Sequence, residues 1–211
     1  MRSYGEYCSL AKALDVVGDR WTLLIIRELA LRGACRYTDL RNGLPGIATN
    51  LLAQRLRELE QADIVYREDA PPPVATTLFR LTPRGEELRP ALEELTRWGV
   101  PLMHEQDPED AVRSHWLSSA IDLMLTDRRP KRPPVTVELR IGDEPIVIQT
   151  VDGRVRTSLG PAPAPADLVL TGAERPVLGL VLGITDLAGA QALGVAYEGD
   201  PAVLDRLRVD R

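Results

Sequence analysis

Cysteine, histidine and phenylalanine are scarce in this chain. Its two cysteines, Cys8 and Cys35, cannot build a disulfide framework, so a reducing, cytoplasmic setting is expected. Its two histidines, His104 and His115, stand in no metal-ligand spacing with cysteine or carboxylate. No nucleophile elbow, phosphate loop or dinucleotide fingerprint occurs, so neither an enzyme nor a protein of metal or cofactor chemistry is expected. No apolar run approaches the ~20 residues of a membrane span. The opening MRSYGEYC lacks the apolar core of a secretory signal, and no membrane partner is expected.

What is present is ordinary for a globular chain: 211 residues, 44% apolar and 27% charged, enough for one or two domains. The net charge of −5 argues against indiscriminate nucleic-acid binding. The distribution matters more. Arg36, Arg41, Arg55 and Arg57 face Asp39 alone between positions 36 and 57, and the acidic excess lies mostly after residue 105.

That basic stretch contains the chain's most informative segment, LPGIATNLLAQRLRELEQADIV, from Leu44 to Val65. Pro45-Gly46 marks a turn. Leu52, Leu56 and Leu59 then recur at helical spacing and form one apolar stripe. Thr49, Asn50, Gln54, Arg55 and Arg57 fall outside it, and amides and guanidinium groups are the side chains that pair with base edges and phosphates. An ordinary amphipathic surface helix has the same pattern, so the neighbours decide. A short helix from Tyr37 to Asn42 precedes the turn. Strands around Val65-Tyr66-Arg67 and Leu78-Phe79-Arg80-Leu81 follow, joined by the proline loop Ala70-Pro71-Pro72-Pro73. Helix, turn, helix, hairpin is the order of a winged helix-turn-helix. Arg36, Thr38, Arg67 and Arg80 are placed to help at phosphates, Arg67 and Arg80 flanking the wing tip.

Upstream, Cys8–Val17 and Trp21–Arg32 read as helices, the second apolar around much of its surface and so buried, with Asp19 as its N-cap. Downstream, Thr82-Pro83 opens a helix extending to about Met103, with Leu88, Leu92, Leu95, Trp98 and Leu102 in one stripe. So small a domain leaves that stripe little to pack against, and a partner chain is expected to cover it, the alternative being the second half of the same chain.

Cys8, Ala11-Lys12-Ala13-Leu14, Gly18-Asp19-Arg20-Trp21, Arg36-Tyr37, Leu44-Pro45-Gly46-Ile47, Leu52 with Arg57-Glu58-Leu59-Glu60, Leu81-Thr82-Pro83-Arg84-Gly85 and Trp98-Gly99 together resemble the HxlR family of bacterial transcription regulators over residues 1–104. The resemblance implies a homodimeric winged-helix protein that binds double-stranded DNA, with the first and last helices in the dimer contact. Serine often starts the family's recognition helix; Ala48 stands there here, and Thr49 is expected to cap one residue later. Family members that sense oxidants do so through an N-terminal cysteine, which Cys8 matches; the alternative is a small residue buried in the dimer contact.

After a linker at 105–114, residues 115–211 form a second domain. A helix over Ala111–Thr126 leads to a basic, proline-rich run, Arg128 to Pro134, read as a solvated loop rather than a contact for DNA or acidic lipid. Period-two alternation then begins at Val135, with a tight turn at Asp152-Gly153 and a further strand at Leu168–Thr171. Helical pattern returns at Arg175–Leu182, and Asp200-Pro201 opens a closing helix. Strands plus helices give an α+β class. Asp152-Gly153-Arg154-Val155, Ala166 through Gly172, Gly183-Ile184-Thr185-Asp186 and Gly199-Asp200-Pro201 resemble the sterol-carrier-protein type 2 fold. That likeness implies a cavity for a hydrophobic small molecule or lipid, with Leu123, Leu178, Leu180, Val181, Leu182 and Leu187 as lining, against a closed core made of the same residues. Two functions follow from the sequence: a transcription regulator reading a two-fold site, modulated by an apolar ligand, or a lipid carrier or scaffold whose winged helix binds protein.

Overall fold

A computed structural model describes residues 3–70, 76–105 and 110–209. The chain divides into two compact units, 1–98 and 99–211. The proline loop at 71–73 and the linker residues 106–109 lie outside the described residues.

The first unit runs α1 (Ser9–Val17), α2 (Thr22–Arg32), β1 (Cys35–Arg36), α3 (Tyr37–Gly43), α4 (Thr49–Gln61), β2 (Val65–Asp69), β3 (Thr77–Leu81) and α5 (Pro83–Glu86), and ends in α6 (Arg89–Gly99). The strands form an antiparallel sheet in the order β1-β3-β2. Leu52, Leu56 and Leu59 of α4 pack in one core with Ile25, Ile26 and Leu29 of α2, Leu40 of α3 and Phe79 of β3. This is what the three-and-four spacing of the leucines dictates: one helix face is buried and the opposite face is left in solvent.

Three local expectations need correction. Asp19 does not cap α2; Trp21 occupies that position without a side-chain bond, and the Asp19 carboxylate reaches Arg55. Thr49 does not cap α4 either, because the helix already includes it and Ala48 is the uncapped boundary residue. The long helix after Thr82 is broken. Thr82 does cap its start, accepting from the Gly85 amide at 3.0 Å. Pro90 then lacks the N–H that a continuous helix would direct to the Glu86 carbonyl, so α5 stops and α6 begins anew. Pro101 lies in the 3-10 turn Val100–Glu105 that follows α6.

The second unit contains α7 (Ser114–Met124), β4 (Leu125–Asp127), β5 (Thr136–Arg140), β6 (Ile146–Val151), β7 (Arg154–Leu159), β8 (Leu168–Thr171), α8 (Glu174–Val181), α9 (Leu187–Ala192), β9 (Ala196–Gly199), a 3-10 turn at Pro201–Arg206 and β10 (Leu207–Val209). One sheet has the order β10-β4-β7-β6-β5-β8-β9. Its pairs are antiparallel except β5 with β8. Asp152 and Gly153 take φ of 50° and 77°, the paired left-handed geometry of a two-residue hairpin turn. Val137, Leu139, Ile146, Ile148, Leu168 and Leu170 point to one face, where Val177, Leu180 and Val181 of α8 and Ala190 of α9 cover them. Asp200 caps the 3-10 turn through the Ala202 amide at 2.9 Å, as Asp200-Pro201 suggests.

Candidate nucleic-acid interface

The exposed face of α4 is a single row. Asn50, Gln54, Arg57 and Gln61 are all exposed and follow one another at four, three and four residues, opposite the buried leucines. Thr49 is exposed at its N-terminal end. Two features fix this helix. The Tyr37 hydroxyl donates to the Thr49 carbonyl at 2.6 Å, tying α3 to the start of α4. At the far end the Ile64 amide donates to the Leu59 carbonyl at 2.9 Å around Asp63, whose φ of 57° closes the helix in the left-handed conformation that aspartate tolerates better than most residues. Gly43, the last residue of α3, makes a close approach to α2: a Cβ there would lie 2.3 Å from Oε2 of the fully buried Glu28.

The arginines sort into two groups. Arg57 and Arg36 are exposed, with no ion-pair partner among the described residues. Thr38 is exposed beside Arg36, whose amide donates to Asp39 at 2.9 Å. The others are engaged within the protein. Arg55 is only 16% exposed in its side chain and is held between Asp19 and Glu58, the latter at 2.5 Å. It is a strut that fixes α4 to the α1–α2 junction. Gln54 Nε2 also donates to Glu58 at 2.9 Å. Burial opposes the charge on Glu58, but the Gln54 and Arg55 bonds hold its carboxyl below the usual range. Arg67 pairs with Glu60, Nη2 to Oε2 at 2.6 Å, and its guanidinium lies over the Phe79 ring. Arg80 pairs with Glu68 at 2.6 Å. These last two pairs are solvent-facing, worth about 0–1 kcal/mol each, so a phosphate can displace the carboxylate at small cost. Tyr37 and Gln61 were not among the sequence candidates; the four-three-four spacing from Asn50 already contained Gln61.

Cys8 is exposed at the N-terminal boundary of α1. Lys12, the cation nearest to it in sequence, has its ammonium 3.5 Å from Asp15. Cys35 lies in β1, paired with Phe79, and is buried. Burial pushes the Cys35 thiol up to about 11; Arg32 opposes this and Asp39 and Glu28 add to it. Native protein at about pH 8 is therefore expected to take up iodoacetamide at Cys35 only on unfolding, which peptide mass spectrometry reads directly. Native-state modification of Cys35 as fast as that of free thiol would contradict its placement.

The sequence profile of the HxlR-like helix-turn-helix family matches residues 16–107. An uncharacterised HTH-type transcriptional regulator, YvaP, of Bacillus subtilis is 34% identical over 42% of this chain and 82% of its own length. The HTH-type transcriptional regulator YodB of the same organism is 34% identical over 49% of this chain and 88% of its own. The chain belongs to the HxlR-like helix-turn-helix family. An uncharacterised HTH-type regulator of Mycobacterium bovis, Mb3122, is 36% identical over 56% of this chain and 73% of its own length. Membership makes the chain a winged-helix transcription regulator, not an enzyme, and favours that reading over a carrier or scaffold. Among the described residues no cluster of histidine, cysteine and carboxylates could hold a metal, and no helix is long and apolar enough to cross a membrane.

Proposed function

We propose that this HxlR-family regulator binds a two-fold duplex site as a homodimer, with α4 in the major groove. Asn50, Gln54 and Arg57 meet base edges, while Thr49, Arg36, Thr38, Arg67 and Arg80 meet phosphates. The observation that carries this is the row of exposed amides and guanidinium on α4, held rigid by Tyr37 and Arg55. Each piece suits groove recognition: amides pair with adenine, a guanidinium with guanine, and a rigid support keeps them in register.

Dimerisation is supported by apolar surface in the first unit. Leu10 and Leu14 of α1 are 66% and 40% exposed, and Leu95 and Trp98 of α6 are 49% and 72% exposed. An apolar surface of this kind marks an interaction site. The second unit is read as a carrier-like α+β domain, residues 115–211. Leu178, Leu182 and Leu187 pack against the core that contains Leu180 and Val181, and Leu123 is half-buried on α7.

Selection of a binding site from random duplexes, followed by footprinting and sedimentation of the complex, tests the dimer. Two protected half-sites centred about 10 base pairs apart, or a multiple of that, with two chains per duplex, are expected. One chain on one unrepeated half-site would refute it.

A further inference from the structure

A second basic surface lies in the other unit. Arg128, Arg129, Lys131 and Arg132 stand within five residues, all exposed, and have no ion-pair partner among the described residues. In contrast, Arg27, Arg55, Arg67, Arg80, Arg89, Arg97, Arg140 and Arg206 each pair with a carboxylate.

This loop is not simply solvated chain. Arg206, buried, forms a forked pair with the buried Asp127, Nη2 to Oδ2 at 2.6 Å and Nε to Oδ1 at 3.2 Å. Its remaining donors reach the loop's own backbone, the Arg129 carbonyl at 3.1 Å and the Pro133 carbonyl. The Arg128 amide donates to the Arg206 carbonyl at 2.7 Å, and the Arg129 amide to Asp127 at 2.8 Å. Pro130 abuts Gly153, where a Cβ would come within 2.6 Å of it. A buried arginine thus holds the loop from behind while four cations point outward. The surface continues onto the sheet: Thr126 of β4 stands between Arg154 of β7 and Arg208 of β10, and Arg208 Nε donates to the Thr126 hydroxyl at 3.2 Å. Exposed acids flank it at Asp152, in the β6–β7 turn beside Gly153, and at Asp205, next to Arg206.

From this preorganised cluster we infer that the 128–132 loop is a second, sequence-independent contact for the phosphate backbone of duplex DNA. The inference rests on the proposed DNA-binding function. Guanidinium groups on a fixed backbone match phosphate oxygens bidentately without paying for ordering the loop on binding. A membrane surface fits less well, because stable anchoring needs an apolar or lipid anchor beside the basic patch, and this loop offers only prolines between its charges.

The test is a salt series with the full chain on a mixed-sequence duplex of about 40 base pairs, wild type against a variant combining Arg128→Gln, Arg129→Gln, Lys131→Gln and Arg132→Gln. Each lost phosphate contact removes about 0.9 from the slope of log affinity on log salt, so the slope is expected to fall by about 2–4 and low-salt affinity by roughly 10- to 100-fold. Unchanged hydrogen exchange at β4 and β10 shows that the variant is folded. An unchanged slope, with Arg57→Ala still weakening binding to the selected site, overturns the loop contact alone. Wild-type protein that binds no duplex overturns the DNA-binding function and the loop contact together. Loss of binding to phosphatidylserine vesicles with no change on DNA assigns the surface to lipid and overturns the inference.

Discussion

Replacing Arg206 with methionine is expected to destabilise the second unit by about 3–5 kcal/mol at neutral pH. The side chains of Arg206 and Asp127 are 7% and 1% exposed, so removing the guanidinium leaves a buried carboxylate with no counter-charge. It also releases the Arg129 and Pro133 carbonyls that Arg206 satisfies. Lysine should rescue little, since it cannot supply the fork. The pH dependence carries the signature. Burial alone would raise the Asp127 carboxyl, but the Arg206 fork and the Arg129 amide hold it below the ordinary carboxylate range. A depressed carboxylate adds stability that is fully present above the unfolded value of about 3.9 and is lost as pH falls through the lower folded value. In Arg206→Met the sign reverses: burial without a partner raises Asp127, and stability is lost as pH rises. The gap between variant and wild type should therefore be wide at pH ~7 and narrow near pH ~3. Hydrogen exchange of the full chain at Leu125–Asp127 and Leu207–Val209 measures it, with α4 amides as the unchanged reference. A gap independent of pH would show that the loss comes from packing and not from the charge pair.

The second large effect concerns binding. Combining Asn50→Ala with Arg57→Ala is expected to cost about 2–4 kcal/mol at the selected site, roughly 30- to 1,000-fold in affinity. Both residues are exposed on a helix whose opposite face is buried, so the fold should be unaffected. Arg55→Ala should behave differently. It leaves Asp19 and Glu58 without their shared cation and should loosen the attachment of α4, so exchange protection along that helix falls before any base preference changes.

These contrasts mark where the sequence was legible. The leucine spacing of α4 located the buried face and therefore the outward row, because helical period alone determines both. Asp152-Gly153 announced its turn, since few residues accept two successive left-handed positions. Arg55 was less legible. It lies outside the leucine stripe, like Arg57, and only the three-dimensional position of Asp19, 36 residues earlier, makes it a strut. The same limit hid Arg206, whose partner Asp127 is 79 residues away. The three-residue strands β4 and β10 carry no readable period, and pairing with distant neighbours is what orders them. Pro90 stood in plain view, yet the continuous apolar stripe from Leu88 to Trp98 suggested one helix; the structure instead puts Pro90 in the first turn of α6, where a proline is tolerated as it is not in a helix interior.

The central claim is that the outward row of α4 reads bases. Its most direct test is the ratio of affinities for the selected site and for a shuffled duplex at one salt concentration, wild type beside Asn50→Ala with Arg57→Ala. The ratio should collapse toward one while affinity for the shuffled duplex changes little. A ratio left intact in the double variant would place sequence recognition elsewhere in the chain.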